Sequence, residues 1–290
     1  MGVFGMKVDG SVVVVTGGTG LLGQSVSRVL RVAGAQVLAV GRQDFDLRQH
    51  RQVYDMLRSI RPDAVVHLAA NRHDPAESVL SHYDNVIMGV ELLEGCRRQR
   101  VGKVLLAERS CEFPKVTTGQ IERVTANPDT DVDAAAHQML RTHLDVYRQS
   151  AGLDASSLAL TNVYDASPGY SPELAVTVHT MLDAFRGGTD EVRLSATASP
   201  STQVLHVTDA ARCVRDALEA DQPDGVADSG TRGVTLAEIA AITADCVGFT
   251  GTITWAGEPD LDRLPAPRND AMRDFVEWCA SSWESAQICA

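Results

Sequence analysis

The chain has 290 residues, 44% hydrophobic and 22% charged, a balance that excludes a disordered or fibrous protein and suffices for one large globular domain or two smaller ones. Acidic residues outnumber basic ones 38 to 26, so the net charge of -12 leaves no electrostatic footprint for nucleic acid, and neither DNA nor RNA is an expected partner. Only three of the basic residues are lysines, Lys7, Lys103 and Lys115.

In chain order, residues 11–16 (SVVVVT) read as a buried parallel strand ending in glycines, and Leu21, Leu22, Val26, Val29 and Leu30 then line one face of a helix. The alternation continues with a strand at 36–41, a helix at about 48–60, a strand at 63–70 and a helix at about 81–98. A strand at 103–107, a helix at about 131–150 and a strand at 156–161 complete it. Such spacing predicts right-handed βαβ crossovers, hence an α/β, Rossmann-type doubly wound parallel sheet. Beyond residue 165, Pro168, Gly169, Pro172, Gly187, Gly188 and Pro200 punctuate shorter elements, with clear helices returning at 209–220 and 236–247. The expected division is a cofactor domain over 1–165, rejoined by 202–222, and a smaller substrate lobe over 166–201 and 223–290.

The six cysteines form no C-x-x-C pair and have no metal-ligand spacing with histidine, so they read as reduced thiols and no metal is expected. The most apolar run, Val12 to Val15, is too short to span a bilayer, and the start lacks the basic and apolar regions of a signal peptide. Met1-Gly2 begins like a myristoylation signal, but position 6 is Met. A cytoplasmic protein without membrane association is expected.

Thr16 to Gly23 (TGGTGLLG) places Gly17, Gly20 and Gly23 between a strand and a helix. Glycines there permit a tight turn and close backbone approach, and free amides at the helix start meet a pyrophosphate, which points to a dinucleotide cofactor. The second strand ends Gly41-Arg42, where a cofactor with a free ribose 2'-hydroxyl usually meets Asp or Glu. A guanidinium fork suits a 2'-phosphate, so NADP(H) is expected, with Arg42 as a solvated loop cation the alternative.

These motifs, with Asp46-Leu47, DAVVHLAA at 63–70, Asn85, SCEFPK at 110–115, LTNVY at 160–164 and LHVTDAA at 205–211, resemble the extended short-chain dehydrogenases/reductases, in the branch of nucleotide-sugar epimerases, dehydratases and GDP-fucose synthase. The resemblance covers roughly residues 10 to 265. It implies that Thr19, Leu21 and Leu22 join the glycine loop at the cofactor. It also implies that Asp46 and Leu47 sit by the adenine, Leu68, Ala69 and Ala70 along the cofactor, and Thr161 and Asn162 near the nicotinamide.

The same resemblance implies a Ser, a Tyr and a Lys four residues after the Tyr, because a phenol with a pKa near 10 needs a cationic neighbour to serve as an acid near neutrality. Here the residues four beyond Tyr54, Tyr83, Tyr147, Tyr164 and Tyr170 are Arg58, Ile87, Ala151, Pro168 and Leu174, so no Tyr-x-x-x-Lys exists. By the family's spacing the Tyr and Lys positions fall on Asp133 and His137, and the Ser position on Arg109, followed by Ser110 and Cys111. Thr202 replaces an Arg that grips the diphosphate of sugar-nucleotide substrates.

Ser110, Asp133 and His137 are therefore the candidate catalytic residues, with His137 also at the cofactor, and Arg109, Cys111, Tyr164, Tyr170 and His179 the candidate substrate contacts. Each has a plainer reading. Thr130-x-x-Asp133 has the form of a helix N-cap with an acidic third residue, Cys111 reads as an inert small hydrophobe, and the aromatics, Trp255 included, read as core. A substrate whose own phenol hydrogen-bonds its ketone would supply the missing proton. Loss of the triad resembles the atypical ketoreductases of aromatic polyketide tailoring, the simocyclinone (angucyclinone) type among them, and implies NADPH-dependent reduction of a polycyclic aromatic ketone. The rival readings are a catalytically silent NADP-binding sensor or scaffold and, third, a nucleotide-sugar epimerase or reductase.

Overall fold

The computed structural model describes residues 6–71, 78–110, 132–165, 173–188, 190–194, 201–220, 233–255 and 269–288. In chain order they form β1 (Val12–Thr16), α1 (Leu21–Val32), β2 (Gln36–Val40), α2 (His50–Ile60), β3 (Ala64–His67), α3 (Ser78–Gln99), β4 (Lys103–Ser110), α4 (Val132–Ala151) and β5 (Ala155–Thr161). Then come β6 (Val163–Tyr164), α5 (Glu173–Arg186), β7 (Glu191–Leu194), β8 (Ser201–Thr202), β9 (Leu205–His206), α6 (Val207–Glu219), β10 (Val234–Thr235), α7 (Leu236–Val247), β11 (Thr252–Trp255) and α8 (Asp270–Ile288).

Chain contacts gather these elements into two units; the chain leaves the first at Leu160, returns at Val207 and departs again after α6. In the first, the sheet order is β2-β1-β3-β4-β5, with β1 parallel to β2 and β3, and β3 parallel to β4. Val13, Val14 and Val15 of β1 and Ala64, Val65 and Val66 of β3 are fully buried, as central strands covered on both faces require. One face is closed by Val53, Met56 and Leu57 of α2, Leu92, Leu93 and Cys96 of α3 and Leu140 and Leu144 of α4. On α1, Ser25 donates to the Val207 carbonyl of α6 at 3.4 Å. This is the doubly wound parallel fold, and its strand order reverses at β1, which opens a crevice at the carboxyl ends of β1 and β3. The last rungs align Thr16 with Val40 and with His67 at that edge.

Lys103, buried at 3% exposure, donates from Nζ to the Ala220 carbonyl at 2.6 Å. Its charge thus sits at the carboxyl end of α6, where a cation complements the helix dipole.

The second unit centres on α5, α7 and α8, with β7 parallel to β11, β8 antiparallel to β10, and β6 parallel to β9. Phe185 of α5 stacks on Phe249 with centroids 4.8 Å apart. Helix α7 begins with a reciprocal capping box of Thr235 and Glu238 and ends at Gly248 with φ of 69°. Among the described residues, Cys96, Cys213, Cys246 and Cys279 form no disulfide. No helix among them is long and apolar enough to cross a membrane.

Candidate functional site

Gly17 has φ of +68°, and a Cβ there would meet the backbone of Leu68 and Ala69 at 2.7–2.8 Å. Only glycine lets the first loop approach the segment after β3 so closely. At Gly23 a Cβ would lie 2.2 Å from the Gly17 carbonyl oxygen, so α1 can start against the loop only without one. No side chain caps α1, whose N-cap is Gly20. The first-turn N–H groups, Leu21 and Leu22 included, thus lack intrahelical partners and suit an anion.

Beside this loop lies a cavity of about 270 Å³, at the carboxyl end of the sheet. Gly17, Thr19 and Gly20 form one wall and Val40, Gly41 and Arg42 another. Phe45 through Arg48, Leu68 through Asn71, and Met88 of α3 close it. Of the expected cofactor residues, Gly17, Thr19, Gly20, Arg42, Asp46, Leu47, Leu68, Ala69 and Ala70 line this one space. The cradle that a Cβ would fill and the uncapped helix start fit a dinucleotide.

Polar residues that the sequence reading did not single out organise the walls. Arg48 donates from Nε and Nη2 to the two oxygens of Asp46 at 2.9 and 2.8 Å, and from Nη1 to Asp84 at 3.1 and 3.3 Å. These bonds hold the Asp46 carboxyl down at about 2 and raise the guanidinium above its usual value. Asn71 donates its side-chain amide to Asp84, and its backbone exchanges hydrogen bonds with the Asn85 side chain at 2.6 and 3.2 Å. The segment after β3 is thereby fixed to α3. Neither Arg48 nor Asp84 belongs to a spacing motif; only their neighbours Asp46-Leu47 and Asn85 do.

His67 is buried at the end of β3, with Nδ1 2.7 Å from Thr16 Oγ1. Burial, then the nearby charge of His137, pushes its pKa from 6.5 to about 4. An unfolded chain takes up a proton there from about pH 6.5 downward while the native protein declines it until about pH 4, so stability is lost as pH falls through that window. Urea unfolding from about pH 7 to about pH 5 is expected to cost the wild type about 2 kcal/mol more than His67→Asn; equal losses contradict this.

Among the remaining expected site residues, Asp133 and His137 stand one turn apart on α4, with His137 half-buried and within electrostatic reach of His67. Arg109 and Ser110 end β4; their side chains, with those of Asp133 and Thr161, lie outside the described residues, as do Cys111 and Tyr170 entirely. Asn162, in the second unit, has φ of 40° and donates Nδ2 to the Gln203 carbonyl at 2.9 Å.

One expected substrate contact, Tyr164, is placed by the structure in a packing role instead, while His179 is half-buried. Tyr164 is 6% exposed, with its ring against His206, Phe275 and Trp278 at centroid distances of 5.5, 5.2 and 5.9 Å. His179 Nε2 is 3.1 Å from the Cys279 carbonyl, tying α5 to α8. Trp255, 5% exposed, also belongs to this core. Among the described residues no group of three or more His, Cys, Asp or Glu could hold a metal.

Residues 13–227 match the NAD dependent epimerase/dehydratase family. The chain is 24% identical over 271 residues to a GDP-L-fucose synthase of Sinorhizobium fredii, covering 87% of this chain and 85% of the relative. It is 25% identical over 276 residues to the Escherichia coli GDP-L-fucose synthase, covering 86% and 85%. Among solved structures, a GDP-L-fucose synthetase from Naegleria fowleri bound to NADP superposes with a TM-score of 0.61 at 22% identity, over 95% of this chain and 96% of that one. A GDP-mannoheptose C4 reductase from Campylobacter jejuni with NADP bound superposes with a TM-score of 0.64 at 16% identity, over 94% and 99%. Both likenesses show the same fold. With the match running from β1 past α6, over most of the chain, the protein belongs to the NAD dependent epimerase/dehydratase family and is an NAD(P)-dependent oxidoreductase.

Proposed function

We propose that the protein is an NADPH-dependent carbonyl reductase that acts on a polycyclic aromatic ketone of the polyketide type, with the proton drawn from the substrate's own phenol. One observation carries this reading. Nine of the residues expected at the cofactor line one cavity beside the glycine loop, whereas the chain has no Tyr-x-x-x-Lys and has Asp133 and His137 at the positions where the family's pair falls.

The glycine loop and the start of α1 would hold the pyrophosphate, Arg42 the 2'-phosphate, and the Phe45–Arg48 and Leu68–Asn71 segments the adenosine side. When bound, the nicotinamide supplies a hydride; with one proton it converts ketone to alcohol, leaving NADP⁺. Orientation of the carbonyl accounts for much of the rate without a protein acid. A phenol already hydrogen-bonded to the ketone delivers its proton as charge develops on oxygen, and solvent restores it. Both described lysines have other positions, Lys103 at the end of α6 and Lys7 exposed beside Asp9 at 3.7 Å.

The relatives' names favour a second reading, reduction of a GDP-linked sugar ketone, against which Thr202 stands where the family places a diphosphate-gripping Arg. Nicotinamide-deuterated NADPH, incubated with a peri-hydroxy polycyclic ketone or with a GDP-linked keto sugar, separates them by mass spectrometry. Deuterium on the carbinol carbon of the aromatic alcohol is expected. Transfer to the sugar alone supports the second reading, and transfer to neither contradicts both.

A further inference from the structure

The two arginines of the cavity are differently placed. All three nitrogens of the Arg48 guanidinium are engaged by Asp46 and Asp84, so that charge is spent within the wall. Arg42 is the cation in reserve, its side chain 63% exposed and its Nη2 4.0 Å from Asp84 Oδ2. Asp84 is only 8% exposed. Arg48 and Asn71 both bond its carboxylate, but the single Arg48 charge faces two carboxylates, so Asp84 keeps negative charge to set against Arg42 with little screening by water or salt. Asp46 is matched by the two-pronged grip of Arg48, and Asp44, on the surface, accepts the Gly41 N–H at 2.8 Å. Asp84 is thus the buried anion against which an incoming phosphate competes for Arg42.

We propose that Asp84 is the residue that sets how strongly this cavity prefers a 2'-phosphorylated dinucleotide over its 2'-hydroxyl counterpart. It acts as a positioning residue through Arg42. Its negative charge holds the guanidinium on the α3 side and opposes the phosphate, which restrains the preference for NADP(H). A 2'-hydroxyl carries no charge, so NAD(H) binding is insensitive to this contest. The inference rests on reading the cavity as a nicotinamide dinucleotide site.

The test is the dissociation constants of NADPH and NADH, by titration calorimetry, for the wild type, Asp84→Asn, Arg42→Ala and the double variant, at low and high salt. Asparagine retains the shape of Asp84 and an oxygen for Arg48. Asp84→Asn is expected to raise the NADPH-over-NADH preference by about five- to tenfold, a gain that shrinks at high salt. In the Arg42→Ala background the gain is expected to vanish. Damage to the wall alone would weaken both cofactors together. An unchanged or lowered preference overturns the proposal, as does a gain that persists without Arg42. Asp84→Ser, which also removes the charge, answers the same question should the Asn variant not fold. Tighter NADH binding by the wild type contradicts the NADPH reading instead, and the change on removing Asp84 still scores the proposal.

Discussion

Gly23→Ala is expected to weaken NADPH binding by at least about a hundredfold, because the added methyl has nowhere to go. Its Cβ would stand 2.2 Å from the Gly17 carbonyl oxygen and 2.7 Å from the Gly18 Cα, both backbone atoms. Relief requires the loop to lift from α1, which separates the amides that must converge on a pyrophosphate. Overpacking of this kind costs about 1–3 kcal/mol in stability, and a hundredfold in affinity corresponds to about 2.7 kcal/mol. Equilibrium binding and thermal melting measure the two losses. The effect on binding exceeds that of Gly20→Ala in the protein itself, since a Cβ at Gly20 meets the Gly17 oxygen at 3.3 Å. An affinity within a few-fold of wild type for Gly23→Ala would show that the loop does not carry the cofactor.

The second large effect concerns the proton. Positioned general acids contribute about 10²- to 10⁴-fold to rate. If the substrate's peri-phenol is that acid, its methyl ether is expected to lose about 10²- to 10⁴-fold in kcat, with KM changed far less. A steric penalty from the methyl would instead appear chiefly in KM. Equal kcat for the phenol and its ether contradicts substrate assistance and returns the task to a side chain.

The cofactor half was legible in the sequence because it obeys simple periods. Buried parallel strands read as β-branched runs, crossover helices as amphipathic stripes, and Gly17, Gly20 and Gly23 announce their turn. Boundaries shifted where backbone leaves the ladder: β3 ends at His67, and Leu68 to Asn71 turn aside to line the cavity. The second unit was less legible. Val176, Thr177, Val178 and Thr180 make α5 rich in β-branched residues, and Leu174, Ala175, Val178, Met181 and Leu182 are buried, so its period is blurred. Gly187 looks like a break within a longer pattern, yet it directly follows the end of that helix at Arg186. Helix α8 does carry an apolar stripe of Met272, Phe275, Val276 and Cys279, which the sequence reading passed over.

The site divides the same way. Residues on the loop, at the end of β2 and after β3 share positions with a motif, and they line one cavity. Arg48, Asp84 and Asn71 come from separate segments and meet only when α3 lies beside the β2–α2 connection, so no spacing betrays them. For Tyr164, residue type alone points to a ligand, and burial with its ring contacts assigns it to packing.

In the proposed reaction, reduction proceeds without a protein proton donor at the positions the family uses for one. The direct measurement is the single-turnover rate of NADPH oxidation by the Asp133→Ala/His137→Ala double variant, saturated with a peri-hydroxy polycyclic ketone. A rate within about tenfold of wild type is expected, since neither side chain is asked to give a proton. A rate lowered by about 10³-fold or more, with both ligands still bound, would contradict the account and make one of those two residues the acid.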